Sequence, residues 1–258
     1  GGIAEVCAKA GAQVLVYEPS EELVEAGRTR ITASLERAKA KGKLAADDFE
    51  VAMARLSYTT ELADMADRQL VIEAIVENEA VKAKLFADLD SVVTDPDAVL
   101  ASNTSSIPIM KIAAATKNPS RVLGLHFFNP VPVLPLVEVI DTIVTAPEAV
   151  AKVEKFAGDA LGKKVVRCGD RSGFIVNALL VPYLLAAVDE DACLSDATAA
   201  AVARAKARGG RVVAVGTKVF AAPYNARRIL DFHTVSPTPA THAILTQLKA
   251  GECIRHSI

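Results

Sequence analysis

Short apolar runs alternate with segments of helical period along most of the chain. Near the N-terminus, Ile3, Val6 and Cys7 share one helical face, and Gly11 is a favourable residue to end that helix. The predicted strands are QVLVYEP (13–19), LVIEAIVEN (70–78), AVLASNTSS (98–106), RVLGLHFFNP (121–130) and KKVVRC (163–168), with helices predicted near 20–41, 46–55, 79–91 and 147–160 and from 173 onward. Apolar strands that alternate with helices of this length are typical of a doubly wound sheet. We therefore predict an α/β, Rossmann-like fold with a mostly parallel sheet.

Composition excludes several classes of function. With 29 basic and 31 acidic residues the formal net charge is −2, so no global charge recruits nucleic acid or an anionic membrane surface. Every apolar run is shorter than the roughly 20 residues that span a bilayer, and no secretory signal is visible. The cysteines form no C-x-x-C pair, which argues against zinc and fits a reducing, cytoplasmic setting. We expect no metal, no nucleic-acid partner and no membrane segment.

Polar side chains follow four of the predicted strands at the point where each strand ends. They are Glu18, Glu77 with Asn78, the run Ser102 to Ser105, and His126. Because ligands of doubly wound sheets bind outside the carboxyl ends of the strands, we expect these side chains to converge on one edge. Glu18 suits the adenosine ribose of NAD, and its charge disfavours the 2′-phosphate of NADP. It fits an acid at the start of the next helix equally well.

His126 and Glu138 suit a general base and its orienting partner. An imidazole can take a hydroxyl proton near neutral pH, and a carboxylate on its other nitrogen fixes the tautomer and stabilises the imidazolium. The intervening NPVPVLP cannot form a regular helix, so the chain must loop and return, which could bring the two side chains together. The alternative is a core histidine with satisfied nitrogens. No Ser-His-Asp arrangement with a nucleophile elbow is present, which argues against a hydrolase.

Two further polar positions leave two interpretations open. Ser105 and Ser106 precede Ile107-Pro108, where a hydroxyl often caps a helix. Asn177 is a polar residue in the strongly apolar segment GFIVNALLVPYLL. An unpaired buried amide costs about 1 to 3 kcal/mol, so Asn177 either pairs in the core or faces a ligand.

Taken in order, LVIEAIVEN, ASNTSS, GLHFFNPVPVLPLVEVI and DRSGFIVNALLVPYL resemble the 3-hydroxyacyl-CoA dehydrogenase family, close to its bacterial 3-hydroxybutyryl-CoA members. The resemblance covers residues 1 to about 188 and implies NAD-dependent oxidation of a short-chain 3-hydroxyacyl-CoA, or the reverse reaction, within fatty acid metabolism. In its terms His126 is the general base, Glu138 its orienting carboxylate, Ser105 a partner of the substrate C3 oxygen and Asn177 a positioning group near the thioester. The cofactor residues that it implies are Glu18, Glu77, Lys82 and Asn103, and the CoA contacts are Ser34 and Lys41.

The chain departs from the family pattern at both ends. The strand and the G-x-G-x-x-G loop that carry the pyrophosphate are absent before Gly1, so we expect the sheet to lack its first strand. After residue 189 the sequence no longer resembles the family's helical domain; its pattern predicts one helix, a Gly-Gly break and one short strand, followed by an irregular tail. We predict an incomplete NAD-binding domain over 1–171, the first helix of the substrate and dimer domain over 172–188, and a tail of uncertain fold over 189–258. We do not expect the family's homodimer without that domain.

Two competing hypotheses follow from these departures. The chain is either a dehydrogenase or an impaired fragment of this family that retains at most acyl-CoA binding, because without the glycine loop a pyrophosphate loses its helix N-terminal cradle. The stretch ARAKARGGRVVAVGT is also similar to part of the tRNA ribosyltransferase-isomerases that make queuosine. An RNA-modifying function would need a basic surface, and the charge pattern does not indicate one.

Overall fold

The structure is a computed structural model, and it describes residues 1–181 together with the backbone of 210–215, 218–223 and 230–231. The chain forms two compact units, Gly1–Arg171 and Ser172–Ile258. The division of the chain into a cofactor domain, a first substrate-domain helix and a tail stays a prediction.

The first unit is built on a five-stranded sheet in the order β3-β4-β5-β6-β7. The strands are β3 (Leu70–Glu73), β4 (Val99–Ser102), β5 (Val122–Phe127), β6 (Leu136–Asp141) and β7 (Lys164–Gly169). All neighbouring pairs are parallel except β5 and β6, which run antiparallel. This is the mostly parallel, Rossmann-like sheet that the apolar runs predict. The carboxyl ends of β3, β4 and β5 therefore share one edge, and the start of β6 returns to it.

A second, two-stranded sheet pairs β1 (Val14–Tyr17) with β2 (Leu56–Thr59) in parallel. Within the described residues β1 pairs only with β2 and β3 only with β4, so each has one unpaired edge. Their apolar residues are only half-buried, whereas β4 and β5 are buried throughout. Within the described residues, no strand joins the two sheets.

The helices connect the strands in the alternating pattern of the fold. They are α1 (Gly2–Lys9), α2 (Glu21–Ala40), α3 (Ala46–Ala54), α4 (Glu79–Val92), α5 (Ile109–Ala113) and α6 (Pro147–Lys155), and α6 continues into a π-helical turn, Phe156–Ala160. The side chains of Ser20 and Asn78 accept hydrogen bonds from the backbone N–H groups of Leu23 and Val81, so both long helices begin at a capping residue. These caps fix the entry of the chain into α2 and α4.

The main core lies between the five-stranded sheet and its covering helices. It joins β4, β5 and β6 residues such as Leu123, Leu125 and Val139 to Val150 and Val153 of α6, all almost fully buried. Burial of this apolar surface is the main force that holds the sheet edge in place, at about 25 cal/mol per Å². A smaller cluster packs α2 and α3 beside the two-stranded sheet.

In the second unit, residues 176–181 are helical, as the helix predicted from Gly173 requires. Its continuation to 188 and the helix predicted before the Gly-Gly break lie outside the described residues. The backbone forms an antiparallel sheet of β8 (Gly210–Val215), β9 (Lys218–Pro223) and β10 (Leu230–Asp231). The sequence predicts only the first of these strands, because β9 lacks a clear alternation and β10 has only two residues.

Candidate active site

The central feature of the site is a buried pair on adjacent antiparallel strands. His126 lies near the end of β5 and is the register partner of Glu138 on β6. The His126 Nδ1 atom lies 2.7 Å from Glu138 Oε2, the Glu138 side chain is fully buried, and only 8% of the His126 side chain is exposed. The proline-rich connection between the strands therefore does bring the two groups together.

This geometry determines what the imidazole can do. Because Nδ1 faces the carboxylate, that nitrogen carries the proton and proton exchange with a substrate falls to Nε2. A carboxylate in a low-dielectric environment stabilises the charged ring strongly once Nε2 accepts a proton. The ring of Phe128 packs on the imidazole, with centroids 4.5 Å apart and planes inclined by 51°, so the orientation of His126 is fixed from two sides.

Glu77 joins the loop after β3 to the loop after β4. Its Oε1 accepts hydrogen bonds from the Thr104 hydroxyl at 2.6 Å, from the Ser105 N–H at 2.9 Å and from the Ser106 N–H at 3.1 Å. The hydroxyls of both serines also lie within 3.2 Å of this oxygen. Burial alone would raise the pKa of Glu77, but these hydrogen bonds and the charge of Lys82 outweigh it and hold the pKa below its ordinary value. Ser105 is thus placed by Glu77.

A buried ion pair lies beneath this loop. Lys82 of α4 places Nζ 2.5 Å from Glu73 Oε1, and both side chains are almost completely inaccessible, at 1% and 0%. The other Glu73 oxygen accepts the hydroxyl of Ser102 at 2.6 Å, and Oε1 also accepts the N–H of Ile75 at 2.7 Å. Lys82 Nζ is 3.5 Å from Glu77 Oε2. Lys82 therefore contacts both Glu73 and Glu77.

Asn103 links the end of β4 to the end of β5. Its Oδ1 accepts the N–H of Phe127 at 2.8 Å, and its own N–H donates to the Glu73 carbonyl at 2.8 Å. Three neighbouring strand ends are tied together in this way next to His126. The predicted cofactor residues Glu77, Lys82 and Asn103 thus lie in one connected region.

Glu18 lies at the end of β1, beside the start of α1. Its N–H donates to Thr59 on β2. Burial and Arg30 lower the pKa of the Gly1 amino group, while the charge of Glu18 acts in the opposite direction. An acid next to a helix N-terminus is the arrangement that binds a ribose beside a pyrophosphate.

Three predicted substrate residues lie away from this edge or outside the first unit. Ser34 is half-buried on α2, and Lys41 is the exposed C-terminal cap of the same helix. The two are seven residues apart, so they share a face of α2. Asn177 lies in the helical segment 176–181 of the second unit. The roles of all three residues stay predictions.

The sequence pattern did not reveal several residues that shape the site. Asp170, which follows β7, accepts the N–H groups of Ile109 and Met110 at 2.8 Å each and so anchors the start of α5 after the serine loop. Glu73 was hidden inside an apolar run. The one available signal was the acid within LVIEAIVEN, because a charge in a buried strand needs a partner.

Two searches within the described part of the chain gave no candidates. No helix there is both long and apolar enough to cross a membrane. No cluster of three or more histidine, cysteine, aspartate or glutamate side chains there has the arrangement to hold a metal ion.

The chain is similar to proteins of known family. The sequence profile described as 3-hydroxyacyl-CoA dehydrogenase, NAD binding domain, matches residues 1–171. A 3-hydroxybutyryl-CoA dehydrogenase from Mycobacterium tuberculosis strain H37Rv is 67% identical over 187 residues, which is 72% of this chain and 65% of that protein. The chain therefore spans about two thirds of the length of the curated relatives it matches.

Solved structures agree with this assignment. The crystal structure of M. tuberculosis FadB2 matches with a TM-score of 0.72 and 66% identity over 73% of this chain and 66% of that chain. The (S)-3-hydroxybutyryl-CoA dehydrogenase PaaH1 from Ralstonia eutropha matches with a TM-score of 0.70 and 39% identity over 72% of this chain and 65% of that chain. With its profile match, its relatives and its sheet in agreement, the chain belongs to the 3-hydroxyacyl-CoA dehydrogenase family.

Proposed function

We propose that the chain carries the base and the cofactor edge of an NAD-dependent dehydrogenase that oxidises a 3-hydroxyacyl-CoA to the 3-oxoacyl-CoA, or catalyses the reverse reaction. The observation that carries the proposal is the buried pair of His126 Nδ1 and Glu138 Oε2 at 2.7 Å. The name of the M. tuberculosis relative supports a short-chain substrate, 3-hydroxybutyryl-CoA.

His126 acts as the general base in this proposal. Its Nε2 takes the proton of the C3 hydroxyl, while Glu138 stabilises the imidazolium that forms. Bound NAD supplies the acceptor for the hydride that leaves C3, so the alcohol and NAD become the ketone, NADH and one proton. Ser105, held by Glu77, is positioned to hydrogen-bond the C3 oxygen. In the reverse direction the imidazolium returns the proton to that oxygen.

The chain's own residues fit the dinucleotide in two places. Glu18 would accept the hydroxyls of the adenosine ribose, and its charge would disfavour a 2′-phosphate. Glu77 and Asn103 would line the nicotinamide side, with Lys82 holding Glu77 from below. The place of Glu18 directly after β1 and the hydrogen bond between Asn103 and Phe127 support this assignment.

The remaining substrate contacts come from outside the sheet edge. Ser34 and Lys41 would meet the CoA moiety, where Lys41 supplies local positive charge, and Asn177 would position the thioester end. In line with the sequence prediction we place the activity in the cytoplasm, with an acyl-CoA as the partner molecule and without nucleic acid.

The direct test is an assay of NADH formation from 3-hydroxybutyryl-CoA and NAD, monitored by absorbance. We expect turnover that falls by about 10² to 10⁴-fold in His126→Gln, the usual contribution of a general base. The matched control is Glu148→Gln, an exposed residue of α6, which should leave the rate unchanged. Turnover that is equal in wild type and His126→Gln would refute the proposal.

A second candidate function is binding of acyl-CoA without oxidation. The unpaired edges of β1 and β3 favour it, because within the described residues no strand joins the two sheets and carries a phosphate-binding loop between them. Calorimetric titration separates the candidates: micromolar binding of NAD supports the dehydrogenase, whereas binding of 3-hydroxybutyryl-CoA with no heat from NAD supports the second function.

A further inference from the structure

The connection between β5 and β6 is held by a lysine from a distant part of the chain. Lys163, just before β7, donates from Nζ to the carbonyl of Val131 at 2.6 Å and to that of Leu134 at 2.7 Å. The N–H groups of Val133 and Leu134 both donate to the Pro130 carbonyl, at 2.9 and 3.0 Å. The segment 130–134 is therefore a closed turn in which the Val131 and Leu134 carbonyls accept from one ammonium group.

This turn packs against the first turn of α1. The Val131 side chain is 5% exposed and belongs to the main core. A Cβ added at Gly2 would lie 3.2 Å from Val131 Cβ and 3.4 Å from Pro132 Cδ. The first distance is tighter than ordinary van der Waals contact and the second lies at its lower limit, so the start of α1 and the turn leave no room for a side chain between them. A shift of the turn would open the space next to the helix N-terminus.

The Lys163 ammonium group is partly buried. Burial and the nearby Lys9 lower the pKa of Lys163, and among the ion pairs of the described residues none includes Lys163. Its two short hydrogen bonds to main-chain carbonyls are charge-assisted and compensate for the partial burial. A lysine in such an environment acts as a tether for the backbone that it holds.

We infer that Lys163 is a positioning residue of the dinucleotide site: it holds the 130–134 turn against the start of α1 and so sets the wall beside the helix N-terminus. The inference rests on the proposed function, in which this N-terminus faces the pyrophosphate. The His126 and Glu138 pair lies within the paired part of β5 and β6, where strand register holds it. Loss of the tether should therefore weaken cofactor binding and leave proton transfer intact.

The kinetic test compares Lys163→Met with Lys164→Met, the exposed neighbour, in the NADH assay. In Lys163→Met we expect KM for NAD to rise about tenfold, equivalent to about 1.4 kcal/mol, with kcat within about twofold because the general base is untouched. Lys163→Arg should restore most of the affinity, since a guanidinium can also donate to two carbonyls. An unchanged KM, or a fall in kcat with KM constant, overturns the inference.

Amide hydrogen exchange supplies a readout that does not require activity. Without the tether, the Val133 and Leu134 amides should exchange roughly tenfold faster in Lys163→Met and at the wild-type rate in Lys164→Met, while the β4 amides keep their protection in both. If wild type shows no NAD-dependent turnover, the proposed function fails. Amide exchange then tests by itself whether Lys163 holds the turn. Equal exchange rates at Val133 and Leu134 in Lys163→Met and wild type would show that it does not.

Discussion

His126 and Glu138 are direct partners across the antiparallel β5–β6 pair, and their side chains meet at 2.7 Å in the interior of the protein. Directly opposite residues of such a pair have Cβ atoms about 4.5 to 5.5 Å apart, which suits an imidazole and a carboxylate that share a proton. The relationship is thus encoded in strand register. The rigid sheet maintains it, so no loop closure is needed to form the pair.

Replacing Glu138 by Gln tests the electrostatic part of this relationship. The amide oxygen can still accept the Nδ1 proton, so the ring should keep its tautomer, but the negative charge that stabilises the imidazolium is lost. We expect kcat to fall by about 100-fold or more, with KM for NAD nearly unchanged. Glu148→Gln serves as the matched control. A Glu138→Gln enzyme with wild-type kcat would show that the carboxylate has no part in proton transfer.

The sequence predicted the elements that carry strong apolar patterns. β4 and β5 are buried on both faces, so VLAS and VLGLHF appear as continuous apolar runs. The strand predicted over LVIEAIVEN ends earlier in the structure, at Glu73, because the next residues form an exposed loop. The sequence pattern did not predict β2, since three of the four residues in LSYT carry hydroxyls and none of the four is fully buried.

The sequence predicted site residues that lie at strand ends. It did not predict which polar side chains are buried. The positions of His126 and Glu138 follow from an apolar strand, a proline-rich return and an acid. The burial of Lys82 does not, because nothing in the helical pattern of α4 shows that its ammonium lies inward against Glu73. Asp170 was equally hidden, since its contacts with α5 join residues about 60 positions apart in the sequence. Long-range polar contacts of this kind leave no periodic signal.

The buried ion pair of Lys82 and Glu73 should contribute to the stability of the fold. Lys82→Met leaves the Glu73 carboxylate without its cation in the interior, and we expect it to lower the free energy of unfolding by about 3 to 5 kcal/mol. Adding Glu73→Gln should recover part of that loss, because an amide is far less costly to bury than an unpaired charge. Urea denaturation of the two single variants and the double variant measures the coupling.

A control for this cycle lies two residues away on α4. Lys84 pairs with Asp88 at 2.6 Å, but 77% of its side chain is exposed. Lys84→Met should change the free energy of unfolding by only about 0.3 to 0.5 kcal/mol. If Lys82→Met is no more destabilising than Lys84→Met, the buried pair makes no special contribution.

Glu77 gives the site a pH dependence whose sign follows from its pKa. The pKa of Glu77 is lower in the folded protein than in the unfolded chain, so ionised Glu77 stabilises the fold above the unfolded pKa. That stabilisation is lost as the pH falls through the folded pKa. The difference in stability between wild type and Glu77→Gln should therefore be largest near neutral pH and shrink in acid. Denaturation midpoints across this range measure it, and a difference independent of pH would contradict the assignment.

Replacement of glycine by alanine should have opposite effects on stability at Gly124 and Gly27. A Cβ at Gly124, two residues before His126, would lie 2.9 Å from Ile109 Cδ1 and from Ile140 Cβ and Cδ1. Gly124→Ala should therefore force β5 away from β6 and α5, at a cost of about 1 to 3 kcal/mol, and it should also impair the His126 pair.

Gly27, in the interior of α2, has no atom within 4 Å of its added Cβ. Gly27→Ala should stabilise the protein by up to about 1 kcal/mol through helix propensity, with activity unchanged. Thermal unfolding and the NADH assay on Gly27→Ala and Gly124→Ala measure both effects.

Because β6 must stay close to β5 for Glu138 to reach His126, a Gly124→Ala variant with wild-type stability and turnover would mean that this close packing does not control the site.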